Sequence, residues 1–217
     1  MMRRVRAFLF DLDGTLVDSL ADIGAAMNHA LATLGEPTHP LADYRRFVGE
    51  GVEVLAARAG PGLDSAARRA ELIDAYQRRY AEHLFDETVV YPGVPELLAL
   101  LRARAVPLGV LSNKPDAPTR VICEALFPPG TFVCVQGQLP DVPVKPDPAA
   151  ALALAAQLGV APAEVAFVGD TAVDMRTAVA AGMHPVGVAW GFRPLELRET
   201  GAERVIERAD ELLELLE

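Results

Sequence analysis

Cysteine is scarce in this 217-residue chain. The two present, Cys123 and Cys134, lie in different segments with no metal-ligand spacing, so they are expected to be buried, reduced thiols rather than a disulfide. Positive charge is the minority sign: 20 Lys and Arg stand against 30 Asp and Glu, a formal net charge of −10. That balance argues against a nucleic-acid or anionic-membrane partner, although a local site for an anion can still be built on an acidic protein. No apolar run reaches the length of a membrane span. The basic start, Met1 to Arg6, runs through Phe8-Leu9-Phe10 straight into acidic residues, a poor secretory signal. A cytoplasmic protein is expected, as a monomer or homodimer. The four histidines, His29, His39, His83 and His184, are scattered and share no metal-binding pattern. No internal repeat or low-complexity tract is evident.

What is present is an alternation. Val5 to Phe10 is a short apolar run ending in Asp and Gly, the mark of a strand buried on both faces. Comparable runs occur at Val106 to Leu111, Thr131 to Val135, Val165 to Val168 and Val186 to Ala189. Helical patterns separate them at Val94 to Arg104, Pro115 to Leu126, Pro148 to Leu158 and Ala172 to Ala181. Gly159 and Gly182 close two of these, and Asp147-Pro148 opens one. The expected fold is α/β, a doubly wound parallel sheet. Residues 17–86 break the alternation with helical patterns only: Leu20 to Leu34, Leu41 to Ala59 and Ser65 to Leu84. They are expected to form an inserted helical cap on a core made of residues 1–16 and 87–217.

Ligands of open α/β sheets sit beyond the carboxyl ends of the strands. The predicted strands end at Asp11 and Asp13, at Ser112 and Asn113, and at Gly169-Asp170 with Asp174 one helical turn on. These side chains are therefore expected along one edge. Asp11 and Asp13, two apart on extended chain, can face one site. Their mutual repulsion invites a hard cation such as Mg²⁺. One Asp can attack phosphorus to form an acyl phosphate and the other can shuttle a proton; an acidic surface turn is the plainer reading. In Ser112-Asn113-Lys114, a hydroxyl and free backbone N–H groups before a helix suit a phosphate oxygen, and equally suit a helix cap. Lys145, in Val144-Lys145-Pro146-Asp147-Pro148, can present an ammonium to phosphate or be an ordinary surface lysine. Asp170 is placed for metal ligation and Asp174 for the same metal or its water, where capping would explain only one of the two.

These motifs in this order resemble the haloacid-dehalogenase superfamily, over essentially the whole chain. FDLDGTLVDS, FVGEGVEVLAARA, LSNKP, KPDP, VGDTAVDMRTAVAAG and the WGFR segment look like its phosphoglycolate phosphatase group. The resemblance implies that Asp11 is the nucleophile and a metal ligand. It makes Asp13 the acid/base, with its backbone carbonyl on the metal. Ser112 and Lys145 take the phosphate-binding positions, Asp170 is the second carboxylate ligand, and Asp174 supports the metal. Dehalogenases lack an acid at the position of Asp13. Phosphonatases draw an amine from the cap, and residues 17–86 contain no lysine.

The expected activity is thus Mg²⁺-dependent hydrolysis of a small phosphorylated metabolite through a phospho-aspartate. A sugar-phosphate mutase of the same fold, or a non-catalytic phosphometabolite-binding protein, are the alternatives. In the cap, Tyr44-Arg45-Arg46-Phe47-Val48-Gly49-Glu50-Gly51 sets two arginines before a glycine pair that permits close backbone approach. Arg46 is the residue expected to meet a substrate carboxylate, and Asn113 is expected to join Ser112 and Lys145 in substrate binding.

Overall fold

The computed structural model describes residues 4–216; the basic Met1–Arg3 lies outside the described residues. Eight strands are formed: β1 (Ala7–Phe10), β2 (Val17–Asp18), β3 (Val89–Val90), β4 (Leu108–Pro115), β5 (Cys134–Gln138), β6 (Val165–Gly169), β7 (His184–Val188) and β8 (Arg204–Ile206). Eight α-helices accompany them: α1 (Leu20–Thr33), α2 (Leu41–Phe47), α3 (Val52–Ala59), α4 (Ala66–Glu82), α5 (Val94–Ala103), α6 (Asp116–Leu126), α7 (Ala149–Leu158) and α8 (Ala172–Ala181).

Six strands make one sheet in the order β5-β4-β1-β6-β7-β8, parallel throughout. The central strands are apolar on both faces because both faces are covered. Phe8 and Phe10 of β1 join Ala166 and Val168 of β6 in a core under α5 and α6. Ala7, Leu9, Val165 and Phe167 point the other way, into a second core with α7 and α8. The order reverses at β1, where the chain proceeds first to β4 and β5 and then returns past β1 to β6, β7 and β8. Such a switch point opens a crevice beyond the strand ends.

The insert leaves the sheet after β1 and returns through a narrow neck, in which β2 pairs antiparallel with β3. Between them α1 to α4 pack together, and their apolar faces run continuously into the first core. The helical pattern expected over Leu41 to Ala59 is broken in two. Gly49 (φ 114°) and Gly51 (φ 90°) adopt positive φ, which a continuing helix cannot accommodate. The Gly49 carbonyl instead accepts a hydrogen bond from the Asn113 side chain at 3.1 Å. Gly159 and Gly182 close α7 and α8 in the left-handed conformation, as expected.

Strand boundaries differ from expectation by a few residues, most at β4 and β5. β4 continues through Ser112, Asn113 and Lys114 after a register irregularity, and β5 begins three residues later than predicted. β8, three residues with Arg204 in it, escapes a pattern that looks for apolar runs; it is an edge strand, where only one side is paired. Cys123 and Cys134 are free and buried, and burial pushes their thiols up to about 12 and about 11. No described helix is long and apolar enough to cross a membrane.

Candidate active site

The residues at the strand ends converge. Asp11 follows β1 directly, and its backbone N–H donates to the Val168 carbonyl at 2.9 Å, locking the β1 and β6 termini side by side. Ligand oxygens of Asp11, Asp170 and Asp174 lie within 4.8 Å of one another, all buried. Asp170 is held by the Phe192 N–H at 2.7 Å and the Thr15 hydroxyl at 3.4 Å. Asp174 accepts from the Thr171 N–H at 3.0 Å and hydroxyl at 2.8 Å. Gly191 permits a close approach in this shell. A Cβ there would lie 2.2 Å from the Asp170 Cβ and 2.6 Å from the Gly14 carbonyl.

Lys145 is 3% exposed, and its ammonium is 2.7 Å from Asp174 Oδ1 and 2.8 Å from Asp11 Oδ1. Burial works against that charge, but Asp11 and Asp174 outweigh it and hold the amine above its ordinary range. The Asp11 contact lies off the hydrogen-bonding direction, so Asp11 Oδ1 is buried without a hydrogen bond. Burial raises the Asp11 carboxyl from 3.8 to about 7; Lys145 opposes the rise, and Asp174 and Asp13 add to it. Burial, Asp174 and Asp11 likewise push Asp170 well above the usual carboxylate range. Three acids facing one ammonium, with an oxygen left unsatisfied, fit a hard divalent cation with oxygen ligands.

Asp13 turns away from that cluster. Its Oδ1 accepts from the Ser19 hydroxyl, and Lys114 Nζ lies 2.7 Å from both of its oxygens. Ser112 is buried at the rim of a cleft between sheet and insert, with Asp11, Asp13 and Lys114 on its floor. Ile23, Val48, Val52, Leu55 and Tyr76 wall the other side. The free volume is about 40 Å³, enough for a few water molecules.

Two expectations change. Arg46 does not approach the cleft. Its side chain is 77% exposed and pairs with Asp43 at 3.3 Å, because α2 ends at Phe47 and turns that face to solvent. Arg45, also exposed, is the one that reaches the loop after β7, donating to the Gly191 carbonyl at 3.3 Å. The Asn113 side chain is committed to scaffolding. Its Nδ2 donates to the Gly49 and Lys145 carbonyls, and its Oδ1 accepts the Lys145 N–H at 2.8 Å. It borders the cleft but positions Lys145 and the insert.

Sequence reasoning left Lys114 and Ser19 without roles. One signal was available: the chain has two lysines, 114 and 145, and both are buried against these acids. A sequence that otherwise uses only arginine for positive charge keeps lysine where a compact ammonium must be desolvated.

Residues 5–182 match the haloacid dehalogenase-like hydrolase family. The chain belongs to that family. This hydrolase is 37% identical over 199 residues to a phosphoglycolate phosphatase of Pseudomonas putida, spanning 88% of this chain and 73% of that one. It is 34% identical over 221 residues to a phosphoglycolate phosphatase of Chromobacterium violaceum, spanning 99% and 98%. The crystal structure of a predicted phosphoglycolate phosphatase from Haemophilus somnus superposes on the hydrolase with a TM-score of 0.90, at 27% identity and full coverage of both chains.

Proposed function

We propose that this hydrolase is a Mg²⁺-dependent, cytoplasmic phosphatase that removes phosphate from a small, phosphoglycolate-like metabolite through a phospho-aspartate on Asp11. The observation that carries the reading is the Asp11 carboxylate, buried at the switch point with one oxygen free of hydrogen bonds and an ammonium beside it. The relatives named phosphoglycolate phosphatase support the substrate class.

In this reading Asp11, Asp170 and the Asp13 backbone carbonyl hold the cation, with Asp174 in support. When bound, the cation would supply the positive charge that keeps Asp11 ionised and offsets the phosphate. Asp11 attacks phosphorus in line as the ester P–O bond breaks and its electron pair goes to the leaving oxygen. Asp13 gives that oxygen a proton. Ser112 and Lys145 hold the transferring group, so that positioning and charge stabilisation supply the acceleration. Asp13 then takes a proton from the water that attacks the acyl phosphate, which releases phosphate and restores Asp11. The apolar wall that the insert turns to the cleft excludes other water.

The test is phosphate release from a panel of phosphorylated metabolites, including phosphoglycolate, hexose phosphates, nucleotides and pyrophosphate. Turnover should vanish in EDTA and return with Mg²⁺. Asp11→Asn should abolish both turnover and the phospho-enzyme mass. Asp13→Asn should slow turnover by ~10²–10⁴-fold, the usual worth of general acid–base catalysis. Full activity in EDTA, or a phospho-enzyme on Asp11→Asn, would defeat the proposal.

A further inference from the structure

The mechanism above gives Lys114 no task, yet the fold isolates it with care. Its side chain is 5% exposed, its ammonium lies 4.8 Å from the centre of the Tyr80 ring, and Asp13 is its ionic partner. It is the one cation lining the cleft among the described residues, and the wall facing it is Ile23, Val48, Val52, Leu55 and Tyr76. Lys145 lies outside this lining, against Asp11 and Asp174. Arg46, the other candidate for an anionic tail, is at the surface.

This arrangement creates a conflict for Asp13. It must reach the leaving oxygen, but Lys114 occupies both of its oxygens and Ser19 one of them. A buried ammonium does not leave a carboxylate for an apolar wall, because it would be stranded without a counterion. It can leave for a second carboxylate. In a substrate ending O–CH₂–COO⁻, the carboxylate carbon is two bonds from the ester oxygen. If that oxygen meets Asp13, the carboxylate falls beside Lys114.

The geometry points to Lys114 as the specificity-determining residue for the substrate's carboxylate. Its ammonium passes from Asp13 to that carboxylate and frees an Asp13 oxygen for the leaving group. The substrate class is the phosphate ester of a short 2-hydroxy acid. This inference rests on the phosphatase reading. It makes tail recognition and proton delivery one event: an uncharged tail leaves Asp13 occupied and slows the reaction even when it fits.

The test uses two esters that differ in the tail alone, phosphoglycolate and 2-hydroxyethyl phosphate, each at saturating Mg²⁺. The native protein should favour phosphoglycolate in kcat/KM by roughly 10–100-fold, the worth of a charged hydrogen bond. In Lys114→Met that ratio should collapse towards one, and Lys114→Arg should recover part of it. The ratio is taken on a single preparation, so a partly misfolded variant cannot imitate the result. A binding readout is independent of turnover. With two lysines in the chain, [¹⁵N]lysine labelling gives two side-chain signals. Phosphonoacetate should shift the one missing from Lys114→Met, and ethylphosphonate should not.

An unchanged ratio in Lys114→Met, or no preference in the native protein, overturns the assignment while leaving the phosphatase reading intact. A Lys114 signal blind to phosphonoacetate overturns it as well. Failure of the native protein to release phosphate from any ester would overturn the phosphatase reading, and this inference with it.

Discussion

Replacing Asp11 with asparagine should stabilise the metal-free protein while destroying turnover. Asp11 is buried beside Asp174, Asp170 and Asp13, and its carboxyl sits at about 7 instead of 3.8. A folded-state value raised in this way means that, between about pH 4 and pH 7, the folded chain retains a proton that the unfolded chain has released. Stability therefore falls as pH rises through that window, and the full cost is present above it. Three pH units correspond to about 4 kcal/mol. The strain is shared with the neighbouring acids, and the amide gives up the contact to Lys145, so roughly half, ~2 kcal/mol, should be recovered. Lys145 keeps Asp174 at 2.7 Å, so the variant does not strand a buried ammonium. For a chain of this size ~2 kcal/mol raises Tm by about 4–8 °C. Thermal denaturation in EDTA at pH 8 should show that gain, and at pH 5 it should shrink. Mg²⁺ should then raise the native Tm, since a ligand of the folded state alone stabilises by mass action, and should raise the variant much less. An Asp11→Asn protein that melts at or below the native one in EDTA at pH 8 would refute the reasoning, as would an equal Mg²⁺ shift in both.

Three further outcomes follow from the same geometry. Gly191→Ala forces a Cβ to within 2.6 Å of the Gly14 carbonyl and against Asp170. It should cost ~1–3 kcal/mol and weaken Mg²⁺ activation, read as a higher half-saturating Mg²⁺ concentration. Arg46→Ala should leave kcat/KM within about twofold on every ester, because an exposed pair such as Arg46–Asp43 contributes little. Arg45→Ala removes a tie between the insert and the loop after β7 at the Gly191 carbonyl. It should lower kcat/KM about fivefold on charged and uncharged esters alike, the worth of ~1 kcal/mol, as read in steady-state assays.

The alternation of short apolar runs with helical patterns was enough to determine the parallel sheet, and the polar residues closing each run were enough to put Asp11, Ser112 and Asp170 at one edge. A strand buried on both faces must be apolar along its whole length, so its end is visible wherever the first polar residue appears. The chain sequence could not decide which of two adjacent, exposed arginines reaches the Gly191 carbonyl. Arg45 and Arg46 differ by about 100° around α2, and the packing of that helix on α1 and α3, not composition, gave Arg45 to Gly191 and Arg46 to solvent. Nor could it decide that Asn113 would be consumed in tying Gly49 to Lys145, or that Lys114 would close on Asp13 across 101 residues. Local pattern reports periodicity and strand ends, because those are set by the residue's own backbone and the face it buries. The partners of a buried charge are set by whatever the rest of the chain brings within a few ångströms, and only the tertiary structure determines that.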